Sequence, residues 1–117
     1  MAEEKILTKE QRIKRETTRL RGIYRDLDKN KAKVVAQLIK TAAFMSISLE
    51  DLQEIINRDG FIEEYNNGGG QSGKKQSEAV KIHIAMTKNF ASIMKTLADL
   101  APGERKKADD LDLMRNG

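Results

Sequence analysis

Apolar residues recur along most of this chain at spacings of three and four, the period of a helix with one face turned away from water. The first stripe is Ile13, Thr17, Leu20, Tyr24 and Leu27. It follows Thr8-Lys9-Glu10-Gln11, a capping box in which the Thr hydroxyl serves the third amide on and Gln11 reaches back. The pattern therefore predicts a helix over residues 9–27, with Gly22 its weak point. Asp28-Lys29-Asn30 offers a break and a new cap, and Val34, Val35, Leu38, Ile39 and Ala42 predict a second helix over residues 31–44. Ser48, with Asp51 at the capping-box position, predicts a separate third helix in which Leu49, Leu52, Ile55 and Ile56 repeat until Gly60 supplies a left-handed stop. Over residues 31–59 the expectation is helix, short turn, helix.

The period then changes. Phe61-Ile62-Glu63-Glu64-Tyr65 has β-compatible residues, and the glycine-rich run from Asn66 to Gly73 opposes helix, so residues 60–76 read as a small β-hairpin or a loop. Ser77 caps the longest helix, which runs to about Leu100 before Pro102-Gly103. It carries two apolar stripes with centres about 120° apart. One is Val80, Ile84, Ala91, Met94 and Ala98; the other is Ile82, Met86, Phe90, Ile93, Leu97 and Leu100. One stripe serves the protomer's core while the other is free for a neighbour, and the second is assigned to oligomerisation. Residues 102–117 contain too few apolar groups to fold alone and read as a flexible tail.

Composition narrows the class. The 117 residues make one ordinary domain with a modest core, 34% charged and only 4% aromatic, which suits solvated amphipathic helices. The chain has no cysteine, so disulfides, thiolate metal sites and thiol nucleophiles are excluded and a reducing compartment is the simplest reading. The amino-terminal residues carry no apolar signal region, and no run approaches the roughly 18 apolar residues of a membrane span, so a soluble protein is expected. Charge is distributed unevenly. Residues 9–40 hold 11 basic and 4 acidic residues, a net of +7, whereas residues 41–117 hold 10 basic and 12 acidic, a net of −2. Arg12, Arg15 and Arg19 fall on one flank of the first apolar stripe, and Lys14, Arg21 and Arg25 on the other. Lys33 and Lys40 share a face of the second helix with Gln37. A basic half joined to a near-neutral, more apolar half fits one part that meets a polyanion and another that packs or assembles.

Catalytic readings fare poorly against the residues. Gly68-Gly69-Gly70-Gln71-Ser72-Gly73-Lys74-Lys75 matches seven positions of a phosphate-cradling loop, but Lys75 stands where a Ser or Thr must hold magnesium. His83 is the only histidine, which rules out a multi-histidine metal site and fits a packed or interfacial residue. Glu63-Glu64 and Asp109-Asp110 lack the apolar surroundings that raise a carboxylate pKa. We therefore expect a protein that is not an enzyme and needs no cofactor. The expected helix-turn-helix has a suitable length for DNA, but its second helix would present Glu50, Asp51 and Glu54 to phosphates. The basic flanks of the first two helices are the better DNA surface.

The order of LTKEQRIKRETTRLRGIYRDLDKNKAKVVAQLIKTAAFM, LEDLQEIINRDG, the EEYNNG segment and KNFASIMKTLADLAP resembles the small terminase subunit of tailed double-stranded DNA bacteriophages and related prophages, over about Ile6 to Pro102. The resemblance implies a mainly α protein with four parts: a helix-turn-helix-like DNA-binding part at residues 1–59, a glycine-rich hairpin at 60–76, an oligomerisation helix at 77–101 and a flexible tail at 102–117. It implies a role in viral genome packaging in the cytoplasm of an infected bacterium, with three partners: phage DNA, further copies of the chain in a ring, and the large ATPase-nuclease subunit. Carried over, Arg12, Lys14, Arg15, Arg19, Arg21, Arg25, Lys33 and Lys40 would meet DNA. Ile82, Met86, Phe90, Ile93, Leu97 and Leu100 would join copies, and Leu111, Leu113 and Met114 would contact the large subunit. A dimeric helical transcription regulator is the alternative from the residues alone, and a helical adaptor whose charges serve only solubility is a third.

Overall fold

The computed structural model describes residues 6–101 as three helices and one hairpin: α1 (Lys9–Ile23), α2 (Lys29–Asp59), β1 (Ile62–Asn66), β2 (Ser72–Gln76) and α3 (Glu78–Asp99). The fold is mainly α. The start of α1 follows the expected capping box: Gln11 N–H donates to Thr8 Oγ1 at 3.1 Å and Thr8 N–H donates to Gln11 Oε1 at 2.9 Å. The helix closes earlier than expected, at Tyr24, and Asp26 takes a positive φ of 64° in the turn that follows. Asp28 caps α2, and Ser77 caps α3 through the Ala79 and Val80 amides. The Pro102-Gly103 stop and the tail lie outside the described residues.

The expected turn between a second and third helix does not form. α2 runs unbroken for 31 residues, so the helix-turn-helix expected over residues 31–59 is replaced by one long helix. Met45-Ser46-Ile47-Ser48 contains neither Gly nor Pro, and Ala42 and Ala43 just before it and Ile47 within it are buried, so packing carries the helix through. Ser48 is buried and its hydroxyl finds no hydrogen-bond partner. Asp51, read as its capping partner, instead accepts from Arg12 at 2.6 Å.

Both α1 and α3 pack on α2, which forms a central spine. Each lies antiparallel to it. Arg12, near the start of α1, reaches Glu50 and Asp51 late in α2, while Leu20 clusters with Val35 and Ile39 early in α2. Leu97, near the end of α3, joins that same cluster, whereas Phe90 and His83 lie beside Leu49, Gln53 and Asn57. The core is small: Leu20, Val35, Ile39, Ala42, Ala43 and Leu97, edged by residues such as Ile13, Leu27, Phe90 and Leu100. By length and composition alone α2 is apolar enough to cross a bilayer, contrary to the expectation that no segment would be. In the fold it is a core helix with one face buried between α1 and α3.

The hairpin, left open as a loop by the sequence, is formed. β1 and β2 pair antiparallel with Glu63 opposite Lys75, Glu64 opposite Lys74 and Tyr65 opposite Gly73. Gly68, Gly69 and Gly70 all have positive φ, the conformation the tip requires. At Gly73 a Cβ would sit 2.9 Å from the Tyr65 hydroxyl, so the ring lies directly on that glycine. Ser77 N–H donates to the Phe61 carbonyl at 2.8 Å and closes the base of the hairpin onto α3.

Candidate nucleic-acid and assembly surfaces

The eight basic residues assigned to DNA divide into two groups by their partners. Arg12 donates to Asp51 at 2.6 Å and to Glu50 at 2.7 Å, and these bonds raise its pKa further above the ordinary value. Lys9 adds a 4.0 Å ion pair to Asp51 and lies 5.0 Å from the centre of the Phe44 ring. Together they clamp the start of α1 onto α2, so Arg12 holds the fold and is not free to meet phosphate. Arg19 is held by Glu16 on its own helix at 2.7 and 2.8 Å, and the hydrogen bonds from Arg19 pull the Glu16 carboxyl below its usual range.

Lys14, Arg15, Arg21, Arg25, Lys33 and Lys40 are exposed and make no ion pair with any described residue. Two further free cations belong with them. Lys29 and Lys31 stand in the first turn of α2, where no acidic residue is present. Both belong to the basic run of the sequence, Lys29 in the predicted break and Lys31 at the start of the predicted second helix. The turn joining α1 to α2 brings Arg21 and Arg25 next in the chain to Lys29, Lys31 and Lys33, so the free cations concentrate at one end of the spine.

The residues assigned to oligomerisation are placed differently from expectation. Leu97 is fully buried, and Phe90, Ile93 and Leu100 pack on the same core. These four serve the protomer's own interior. Met86 is half-buried and only Ile82 is well exposed. The face that meets α2 falls between the two expected stripes, taking Phe90, Ile93, Leu97 and Leu100 from one and Met94 from the other, with His83 between them. What is left outward is Ile84, Ala91 and Ala98, with Lys81, Lys88 and Lys95 repeating beside them. Of the exposed large apolar groups, Phe61, Ile62, Ile82 and Ile84 lie on the hairpin base and the first turns of α3 and Tyr65 further along the hairpin, whereas Ile6, Val34 and Phe44 lie elsewhere. Leu111, Leu113 and Met114, expected to contact a large subunit, lie outside the described residues.

The chemistry-bearing motifs resolve into structural roles. Gly73, Lys74 and Lys75 lie within strand β2, not in a loop that opens a helix. Lys75 is held at 3.4 Å by Glu63 and at 3.1 Å by Glu78, the latter contact pulling the Glu78 carboxyl below its usual range. His83 is half-buried with Nδ1 3.5 Å from the Thr87 hydroxyl. No group of His, Cys, Asp or Glu suited to a metal ion occurs among the described residues. No protein-family model, curated protein or solved structure matches the chain.

Proposed function

We propose that the protein binds double-stranded DNA and assembles with itself as an adaptor of viral genome packaging, in the manner of the small terminase subunit that its sequence resembles. The observation that supports this reading most is charge placed against the helix dipole. Lys29 and Lys31 occupy the positive end of α2, followed by Lys33, and these three cations outnumber the one carboxylate that caps the helix there, Asp28. Cations at a helix amino terminus cost roughly 0.3–1 kcal/mol each. A polyanion that recruits them together with Arg21 and Arg25 recovers that cost, whereas a purely solubilising role gains nothing from the placement.

Assembly rests on the apolar groups left outward around the start of α3, at the opposite end of the spine from the free cations. A ring of such protomers would sum many weak phosphate contacts without base reading by any one copy. The large ATPase-nuclease subunit remains the third partner of the proposal, and the cytoplasm of an infected bacterium its setting.

Two measurements test the reading together. Light scattering coupled to size exclusion should give a mass above that of a dimer. Affinity for duplex DNA should fall roughly 10³-fold or more between 50 and 200 mM salt if six or more phosphates are contacted. A dimer with a palindromic footprint would replace this reading with a transcription regulator, although the unbroken α2 supplies no separate recognition helix. Loss of all salt-sensitive DNA binding at low ionic strength would leave an adaptor whose charges serve solubility.

A further inference from the structure

We infer that the lysine-edged outer flank of α3 docks into the groove between α2 and α3 of a second copy of this chain. The inference rests on the self-assembly in the proposed function and adds the surfaces that meet. The groove has a volume of about 410 Å³ and is lined by Leu49, Glu50, Gln53, Glu54, His83 and Phe90, among others. Leu49 and Phe90 give it an apolar lining, and Glu50 and Glu54 make it negative. Arg12 already neutralises Glu50. Glu54 is exposed and makes no ion pair within 4.0 Å with any described residue, although Arg58, one turn further along α2, lies within reach of its charge.

The outer flank of α3 has the opposite character. Ile84 is 54% exposed, and Lys88 stands one helical turn further on at the edge of the same flank. Lys88 and Lys95 have no carboxylate within reach among the described residues, while Lys81 is 3.5 Å from Glu78. A lysine without an ion pair beside an exposed isoleucine complements a glutamate without a direct ion pair beside an apolar groove, in charge and in polarity. One chain carries both halves of the match, so a second copy is the occupant the chemistry selects. Nucleic acid and anionic lipid are disfavoured in the groove because Glu50 and Glu54 would face their phosphates. The groove also lies toward the hairpin end of α2, so filling it leaves Arg21, Arg25, Lys29, Lys31 and Lys33 open.

The test is a charge exchange read by absolute mass in solution on the full chain. Lys88→Glu alone and Glu54→Lys alone should each shift the concentration of half-dissociation upward at least tenfold, and the double variant Lys88→Glu/Glu54→Lys should return it toward the wild-type value. Ile84→Asp should also dissociate the assembly. All three positions are exposed, and circular dichroism on each variant should match the wild-type helical content. Wild-type assembly that is unchanged in both single variants, or a double variant no better than the singles, overturns the inference while leaving self-assembly standing. A wild-type chain that is monomeric at every concentration overturns the inference and the assembly reading together.

Discussion

The two ends of α2 use charge in opposite ways. Toward its carboxyl end the ion pairs gather, Lys9 and Arg12 with Asp51 and Glu50, Arg58 with Asp59, and Lys75 with Glu63 and Glu78, although Lys14, Arg15 and Lys74 stand without one among the described residues. Toward its amino end Arg21, Arg25, Lys29, Lys31 and Lys33 have no such partner among the described residues. Arg19–Glu16, midway along α1, is the one ion pair found away from the hairpin end among the described residues. A basic residue in this molecule therefore reports on function only after its carboxylate neighbours are known. An engaged arginine orders helices, whereas an unengaged one leaves its charge to whatever the protein meets.

The largest expected effect tests whether α3 is core or interface. Leu97 is fully buried, so Leu97→Ala should destabilise the fold by about 2–5 kcal/mol in urea titration. A loss of mass with unchanged unfolding would instead restore Leu97 to an interface between copies. Next, reversing three free cations at the basic end, with Arg21→Glu, Arg25→Glu and Lys33→Glu together, should weaken DNA binding about 100-fold or more at low salt. It should also flatten the salt dependence by about three phosphate contacts while the mass stays constant. The paired Arg12 sharpens the contrast. Arg12→Ala should cost about 1 kcal/mol or less of stability, diminishing at high salt, and change DNA affinity much less than the triple variant does.

Two smaller effects probe the frame between the ends. Ser48→Ala removes a buried hydroxyl that lacks a partner and should stabilise the protein by about 1 kcal/mol, visible as a raised unfolding midpoint. The Glu16 carboxyl, bonded to Arg19, titrates below its usual range in the folded protein. Its contribution is present above the unfolded pKa and is lost as pH falls through the lower folded value, because the unfolded chain then binds the proton more readily. Glu16→Gln should accordingly reduce stability by a few tenths of a kcal/mol near neutral pH and make no difference in acid, as judged by thermal unfolding at a series of pH values.

Local signals were the readable ones. The Thr8, Asp28 and Ser77 caps form as the sequence indicated, because a cap is satisfied by atoms within three residues of itself. The hairpin was half readable: its glycine tip announced a reversal, but the Tyr65–Gly73 contact that favours strands over a loop joins residues across the turn. The Ser48 cap was a false signal. Ser-x-x-Asp has the right spacing, yet the burial of Ala42, Ala43 and Ile47 against other helices favours continuing the helix over starting a new one.

By itself the sequence determined where the outer helices begin, that the chain is mainly helical, and that its positive charge gathers in the first third. These follow from spacing and composition, which need no knowledge of what lies alongside. Tertiary structure decided which face of α3 turns inward, that α2 is one helix, and which arginines are free. Each of those depends on a second helix: two stripes about 120° apart leave the inward face open until a neighbour covers the side between them, and Arg12 is free or bound according to whether Asp51, far away in the chain, arrives beside it.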